Sequence, residues 1–194
     1  NPETIAIHGG DYRSDPTTKA VAVPIYQTTS YQFKDAETAA NLFGLKEFGN
    51  IYSRLGNPTV GALEARLTAL EDGAMCVALS SGTSAVMYSL INIMSQGDNF
   101  VAANQLYGGT YTMFDNILPE YGIDAKKVDI TDLKAVEDSI DDKTRAIYCE
   151  TVTNPGLIVA DVTALSEIAH KHGIPLIVDA TFTTSAIQKS FDFQ

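Results

Sequence analysis

From Thr59 onward the chain repeats one pattern: a short apolar run, a turn, then a stretch with helical spacing of its apolar residues. The runs 76–79, 99–103, 123–128, 145–149 and 174–178 are short and almost wholly apolar, which predicts strands. Between them, Val60, Leu63, Leu67 and Leu70 recur at helical spacing and stop at Gly73. Further helices are predicted from Ser80-Ser81-Gly82-Thr83-Ser84 to about Met94, and over 110–118, 133–140 and 162–172. Such alternation builds βαβ units on a parallel sheet. Runs without polar alternation suit strands covered on both faces. The expected fold class is therefore α/β, a mostly parallel sheet flanked by helices.

Residues 1–58 read differently. They show little periodicity, yet Ile25, Tyr26, Tyr31 and Phe33 are too apolar for a disordered tail. We expect an extended, ordered arm that packs on another surface, and a separate domain over 59–194. The N-terminal Asn1-Pro2-Glu3-Thr4 has no basic or apolar leader pattern, and the longest apolar candidate, 86–94, is broken by Ser89 and Asn92. Neither secretion nor a membrane partner is expected. The chain carries 13 basic and 24 acidic residues, a net charge of -11, which argues against nucleic acid as a partner. The acidic groups gather over 120–142, as a solvated face would. Cys76 and Cys149 each sit in an apolar run and read as reduced core residues of a cytoplasmic protein.

In an open α/β sheet, ligands bind beyond the carboxyl ends of the strands. Ser81, Gly82 and Thr83 follow the first predicted strand at a helix start. There, free N–H groups and the helix dipole favour an anion such as phosphate. The same residues also read as an ordinary Ser/Thr N-cap, locally the simpler account. Tyr107 follows the second strand, before Gly108 and Gly109, where its ring can cover a flat ligand or be a half-buried turn residue. Asn154 is held before Pro155 as an amide donor, or simply as part of a turn. Asp179 ends the last apolar strand and needs a partner: a metal, an arginine or a protonated ring nitrogen. Metal ligands are scarce. The histidines are His8, His170 and His172, and His172 before Gly173 suits a helix C-terminus better. No dinucleotide or nucleoside triphosphate fingerprint is present. Together these features describe a phosphorylated aromatic cofactor with a basic ring nitrogen. Pyridoxal 5'-phosphate fits.

Six segments carry a family resemblance in order: Pro24-Ile25-Tyr26-Gln27-Thr28-Thr29-Ser30-Tyr31, Tyr52-Ser53-Arg54-Leu55-Gly56-Asn57-Pro58-Thr59, Ser80-Ser81-Gly82-Thr83-Ser84-Ala85, Leu106-Tyr107-Gly108-Gly109-Thr110, Thr153-Asn154-Pro155 and Val178-Asp179-Ala180-Thr181. The chain resembles the Cys/Met-metabolism enzymes of the aspartate-aminotransferase fold, which use pyridoxal phosphate. The resemblance implies that Ser81, Gly82, Thr83, Tyr107, Asn154, Asp179 and Thr181 bind the cofactor. It implies that Tyr107 stacks on the ring and assists departure of the leaving group. Asp179 pairs with the ring nitrogen and Asn154 bonds the ring hydroxyl. Tyr52 and Arg54 reach the cofactor phosphate of a neighbouring copy, which implies a homo-oligomer, a tetramer built as two dimers. The run from Phe43 to Arg54 resembles the O-acetylhomoserine sulfhydrylase branch, and Gly109 stands where methionine γ-lyases typically place a cysteine. The implied reaction is γ-replacement on O-acetyl-L-homoserine by sulfide or a thiol, in methionine and cysteine biosynthesis. A methionine γ-lyase or a cystathionine synthase or lyase is the alternative.

The family's cofactor-linked lysine lies in a Ser-x-Thr-Lys setting one strand after the aspartate. Only Lys189 follows Asp179, in Gln188-Lys189-Ser190-Phe191, which does not match and reads as a solvated surface residue. The expectation is a domain without that lysine or the family's C-terminal domain, and no turnover by residues 1–194 alone. Such a chain is part of a longer enzyme, one piece of a split enzyme, or a non-catalytic fragment.

Overall fold

The computed structural model describes residues 1–10, 15 and 17–193. Two compact units are present, Asn1–Ala78 and Leu79–Gln194.

Among its described residues the first unit holds three helices: α1 (Pro2–His8), α2 (Ala36–Phe43) and α3 (Pro58–Glu71). Each starts at a side-chain cap. Asn1, Asp35 and Asn57 accept from the backbone N–H of Thr4, Thr38 and Thr59, and proline follows the cap in α1 and α3. α3 is the predicted helix, starting two residues before Val60. α1 and α2 correct the expectation that this region has no strong elements: they are short, and their signals are caps rather than periodicity. Polar contacts add to this order. Asn57 Nδ2 donates to the Tyr26 carbonyl at 2.9 Å and to Ser53 Oγ at 3.0 Å, and Ser30 bridges antiparallel to Tyr52.

The second unit has the expected α/β alternation, but it starts at Leu79, and α3 falls in the first unit. It contains α4 (Gly82–Ile91), β1 (Asn99–Ala103), α5 (Gly108–Thr112), β2 (Asp124–Val128), α6 (Leu133–Asp138), β3 (Thr144–Glu150), α7 (Val162–Lys171), β4 (Leu176–Asp179) and α8 (Thr184–Ile187). The sheet runs β2-β1-β3-β4 with every pair parallel. All of β1 is buried and β3 nearly so, as apolar strands covered on both faces require. Phe100, Phe114 and Tyr148 meet edge to face, with centroids 4.8 and 5.1 Å apart, and Leu90 and Leu165 close over the sheet from α4 and α7. Replacing Phe100 by Ala would cost about 3–5 kcal/mol. The helix expected over 110–118 begins at Gly108 and widens into a π-turn over Met113–Ile117. It then tightens into a 3-10 turn at Leu118–Tyr121, where Pro119 lacks an N–H.

One predicted strand does not form. Residues 76–79 pair with no described strand; the Ala78 N–H donates instead to Glu64 Oε1 at 2.8 Å, and Val77 stays exposed. An apolar run becomes a strand only where a neighbour supplies a ladder. Both cysteines are free, with Cys149 buried as expected but Cys76 only half-buried, since its strand is missing. The acidic residues of 120–142 are exposed apart from half-buried Glu137, which faces His172 Nε2 at 3.2 Å at the end of α7. Among the described residues no helix is long and apolar enough to cross a membrane.

Candidate functional site

A cavity of about 330 Å³ opens beyond the carboxyl ends of the strands in the second unit. Gly82, Thr83, Tyr107, Asn154, Asp179 and Thr181 line it, six of the nine candidates. Glu150 lines it too.

One wall is the start of α4. Ser81 caps it, its Oγ accepting from the Ser84 N–H at 3.1 Å. The helix leaves the N–H groups of Gly82 and Thr83 without a partner one turn back. Ser81 thus shapes the wall without lining it. A Cβ added to Gly82 would meet nothing within 4 Å, so the space above this turn is open. N–H donors and the positive end of a helix dipole converge there on any bound anion.

The floor is two carboxylates side by side, because β3 and β4 pair Glu150 with Asp179. Asp179 Oδ1 accepts from the Thr181 N–H at 2.9 Å and from Thr181 Oγ1 at 2.5 Å, while Tyr148 O–H donates to Oδ2 at 3.3 Å. Three donors fix the direction of the group. Tyr148 is 1% exposed; burial, then the Asp179 and Glu150 charges, push its phenol far above the ordinary range, so it stays a donor.

Glu150 is 5% exposed. Oε1 accepts the Tyr107 N–H at 2.7 Å and Oε2 the Asn154 N–H at 3.0 Å. Burial raises its pKa, the two N–H groups oppose that, and Asp179 adds to it. Local sequence did not single Glu150 out: the roles come from partners 43 and 4 positions away.

The roof is the Tyr107 side chain, which is half-exposed. A Cβ on Gly109 would lie 2.7 Å from Tyr107 Cε1, so the ring sits over Gly109 where no side chain is admitted. Asn154 precedes a cis peptide bond to Pro155. The two remaining candidates, Tyr52 and Arg54, lie in the Asn1–Ala78 unit, where the Arg54 guanidinium stands 5.0 Å over the Tyr52 ring. No lysine among the described residues lines the cavity, Lys189 included.

A family model for Cys/Met metabolism PLP-dependent enzymes matches residues 3–194. The chain belongs to that family. It is 51% identical to the O-acetyl-L-homoserine sulfhydrylase of Leptospira meyeri over 180 residues, covering 93% of this chain and 40% of that protein. It is 46% identical to the homocysteine synthase of Schizosaccharomyces pombe, covering 93% of this chain and 42% of the relative. The fold superposes on a solved Campylobacter jejuni O-acetylhomoserine (thiol)-lyase, which carries N'-pyridoxyl-lysine-5'-monophosphate. The TM-score is 0.95 at 43% identity, over 100% of this chain and 47% of that one. The chain thus spans less than half the length of these relatives. Pyridoxal phosphate is the cofactor of the family, and the cavity suits it chemically. Its lining offers N–H donors for an anion, a carboxylate for a basic nitrogen and an aromatic side chain. The volume falls in the range of about 300–1,000 Å³ usual for small-molecule sites.

Proposed function

We propose that this protein performs γ-replacement on O-acetyl-L-homoserine with sulfide or a thiol, giving homocysteine or a related thioether. The carrying observation is the convergence of Gly82, Thr83, Tyr107, Asn154 and Asp179 on one cavity; the 51% identity to a sulfhydrylase supports the choice of reaction. In the net reaction the Cγ–O bond breaks and acetate leaves with its bonding pair. A C–S bond forms at the same carbon, and the proton from sulfur balances the acetate.

The cofactor, when bound, supplies an electron sink that acidifies the hydrogens on Cα and Cβ of the amino acid. In this reading the Gly82 and Thr83 N–H groups donate to the phosphate. Asp179 holds a proton on the ring nitrogen by its charge, oriented by Thr181 and Tyr148. Asn154 Nδ2 donates to the ring hydroxyl. Tyr107 would cover the ring face, exclude water there and assist departure of the leaving group. Tyr52 and Arg54 serve the phosphate site of a neighbouring copy, in a dimer that pairs into a tetramer. Residues 1–58 then act as an arm and 59–194 as the cofactor domain, in a cytoplasmic enzyme.

The test takes the full polypeptide encoded by the gene, with pyridoxal phosphate, O-acetyl-L-homoserine and sulfide. Homocysteine and acetate should appear in equal amounts. A yield of 2-oxobutanoate and ammonia instead would make it a lyase and overturn the reading.

A further inference from the structure

We infer that Glu150 is a positioning residue: one buried carboxylate ties the Tyr107 and Asn154 loops together, and so sets the separation of ring and amide across the cavity. This rests on the reading above, in which those two side chains contact pyridoxal phosphate.

Tyr107 follows β1 and Asn154 follows β3, so the two loops leave the sheet independently. Tyr107 caps a five-residue helix without a side-chain hydrogen bond of its own. What joins the loops is Glu150, whose two oxygens each take one backbone N–H, at 2.7 and 3.0 Å. A carboxylate is the only protein side chain that offers two acceptor oxygens in one plane and no donor. A charge buried to 5% exposure beside Asp179 is unfavourable in itself, and both oxygens are satisfied by the residues they position. A purely structural role at this strand end would be met by a neutral residue. Replacing the acid with an amide leaves the volume unchanged but puts an N–H₂ against one backbone N–H, so one of the two loops is released.

The experiment compares the full polypeptide with Glu150→Gln, Glu150→Asp, Asn154→Ala, Tyr107→Ala, the double variant carrying both alanine changes, and the combination of that double variant with Glu150→Gln. Each is titrated with pyridoxal 5'-phosphate, read by the visible circular dichroism of the bound cofactor and by its dissociation constant. Glu150→Gln should weaken binding by about tenfold, the loss of one charge-assisted hydrogen bond, and should change the sign or amplitude of the dichroism. Glu150→Asp keeps the charge but is too short to span both N–H groups, and should fall between. In the Tyr107→Ala, Asn154→Ala background, Glu150→Gln should have no further effect, because a positioning residue acts only through what it positions. The inference is overturned if the alanine variants weaken binding while Glu150→Gln binds as the parent does. It is overturned equally if Glu150→Gln has the same effect with and without the two side chains. Should the alanine variants bind like the parent, the reading of Tyr107 and Asn154 fails first, and the inference falls with it. If Glu150→Gln does not fold, the same comparison is made with Glu150→Asp: parent-like dichroism overturns the inference and altered dichroism supports it.

Discussion

The two ends of the sheet in the second unit both carry polar groups and treat them differently. At the amino end, Asn99 and Thr144 are buried, and the chain satisfies them itself. Thr144 Oγ1 donates to Asn99 Oδ1 at 2.7 Å and accepts the Asp141 N–H at 2.9 Å. Asn99 Nδ2 donates to Asp141 Oδ1 at 3.0 Å, and Lys126 Nζ meets Asp141 Oδ2 at 2.7 Å. A broader groove of about 680 Å³ borders this end, and three of the ionisable side chains on its walls have partners: Arg145 with Asp98, Asp141 with Lys126, His172 with Glu137. At the carboxyl end, Asp179 and the first turn of α4 are aimed into a smaller cavity, and their remaining bonding capacity points at whatever occupies it. The larger space is bordered mostly by groups that have already found each other; the smaller one is the candidate site. Volume does not separate them, and the direction of the polar groups does.

The largest expected effect comes from neutralising the carboxyl end. Asp179→Asn keeps the shape and still accepts from Thr181, so the melting temperature should hold. Turnover of O-acetyl-L-homoserine by the full polypeptide should fall about a hundredfold or more, the scale of about 3–5 kcal/mol for removing one partner of a buried charge pair. A large loss of stability with intact turnover would place Asp179 with the structural end instead. The converse change is Thr144→Val, which keeps volume and strips the hydroxyl from the self-satisfied network. It leaves Asn99 Oδ1 and the Asp141 N–H without their partner and should destabilise by about 1–3 kcal/mol, read by urea unfolding. Affinity for pyridoxal phosphate should not change.

Tyr148→Phe sharpens the comparison inside the site. The ring keeps its contact with Phe114, 5.1 Å between centroids, so packing is preserved. The donor to Asp179 Oδ2 is lost, and with it the hydrogen bond that the hydroxyl makes with Thr110. A neutral hydrogen bond of this kind contributes about 0.5–1.5 kcal/mol, so turnover should drop roughly twofold to tenfold with little change in melting. No change in turnover would mean that Thr181 alone orients Asp179.

Much of this contrast is legible in the amino-acid sequence, and the parts that are not share a cause. The buried strands read true because an apolar run needs no partner list: 99–103 matches β1 residue for residue, and the other three shift by a residue or two at their ends. The run 76–79 has the same character and forms no strand, because strand formation depends on a neighbour that its own residues do not reveal. α1 and α2 escape a reading of periodicity because they bury little, and Asn1 and Asp35 announce them only as caps. In the site, the candidates beyond each strand converge as the α/β rule requires, and their roles come from a resemblance carried by short motifs. Glu150 gives no local signal although it stands in the same stretch as Asn154. Its meaning lies in accepting from Tyr107, 43 residues earlier, a relation made by the β1–β3 pairing rather than by spacing.

The smallest expected effect is in acid and base, and it separates the two ends by sign. Asp141, hydrogen-bonded first by Lys126 and then by Asn99, is held below the ordinary carboxylate range. Its stabilisation is present above about pH 4, where the unfolded carboxyl ionises, and is lost as pH falls through the lower folded value. Glu150, pushed up by burial, does the reverse. Below about pH 4 it is protonated folded or unfolded. As pH rises, the unfolded chain ionises first, and the folded state loses relative stability until Glu150 ionises too. Urea unfolding between pH 3 and 7 should therefore show a shallower rise of stability with pH in Asp141→Asn than in the parent, and a steeper one in Glu150→Gln. Parallel curves for all three would mean that the two carboxylates sense the same surroundings, and the distinction between a closed end and an open end would not extend to their charges.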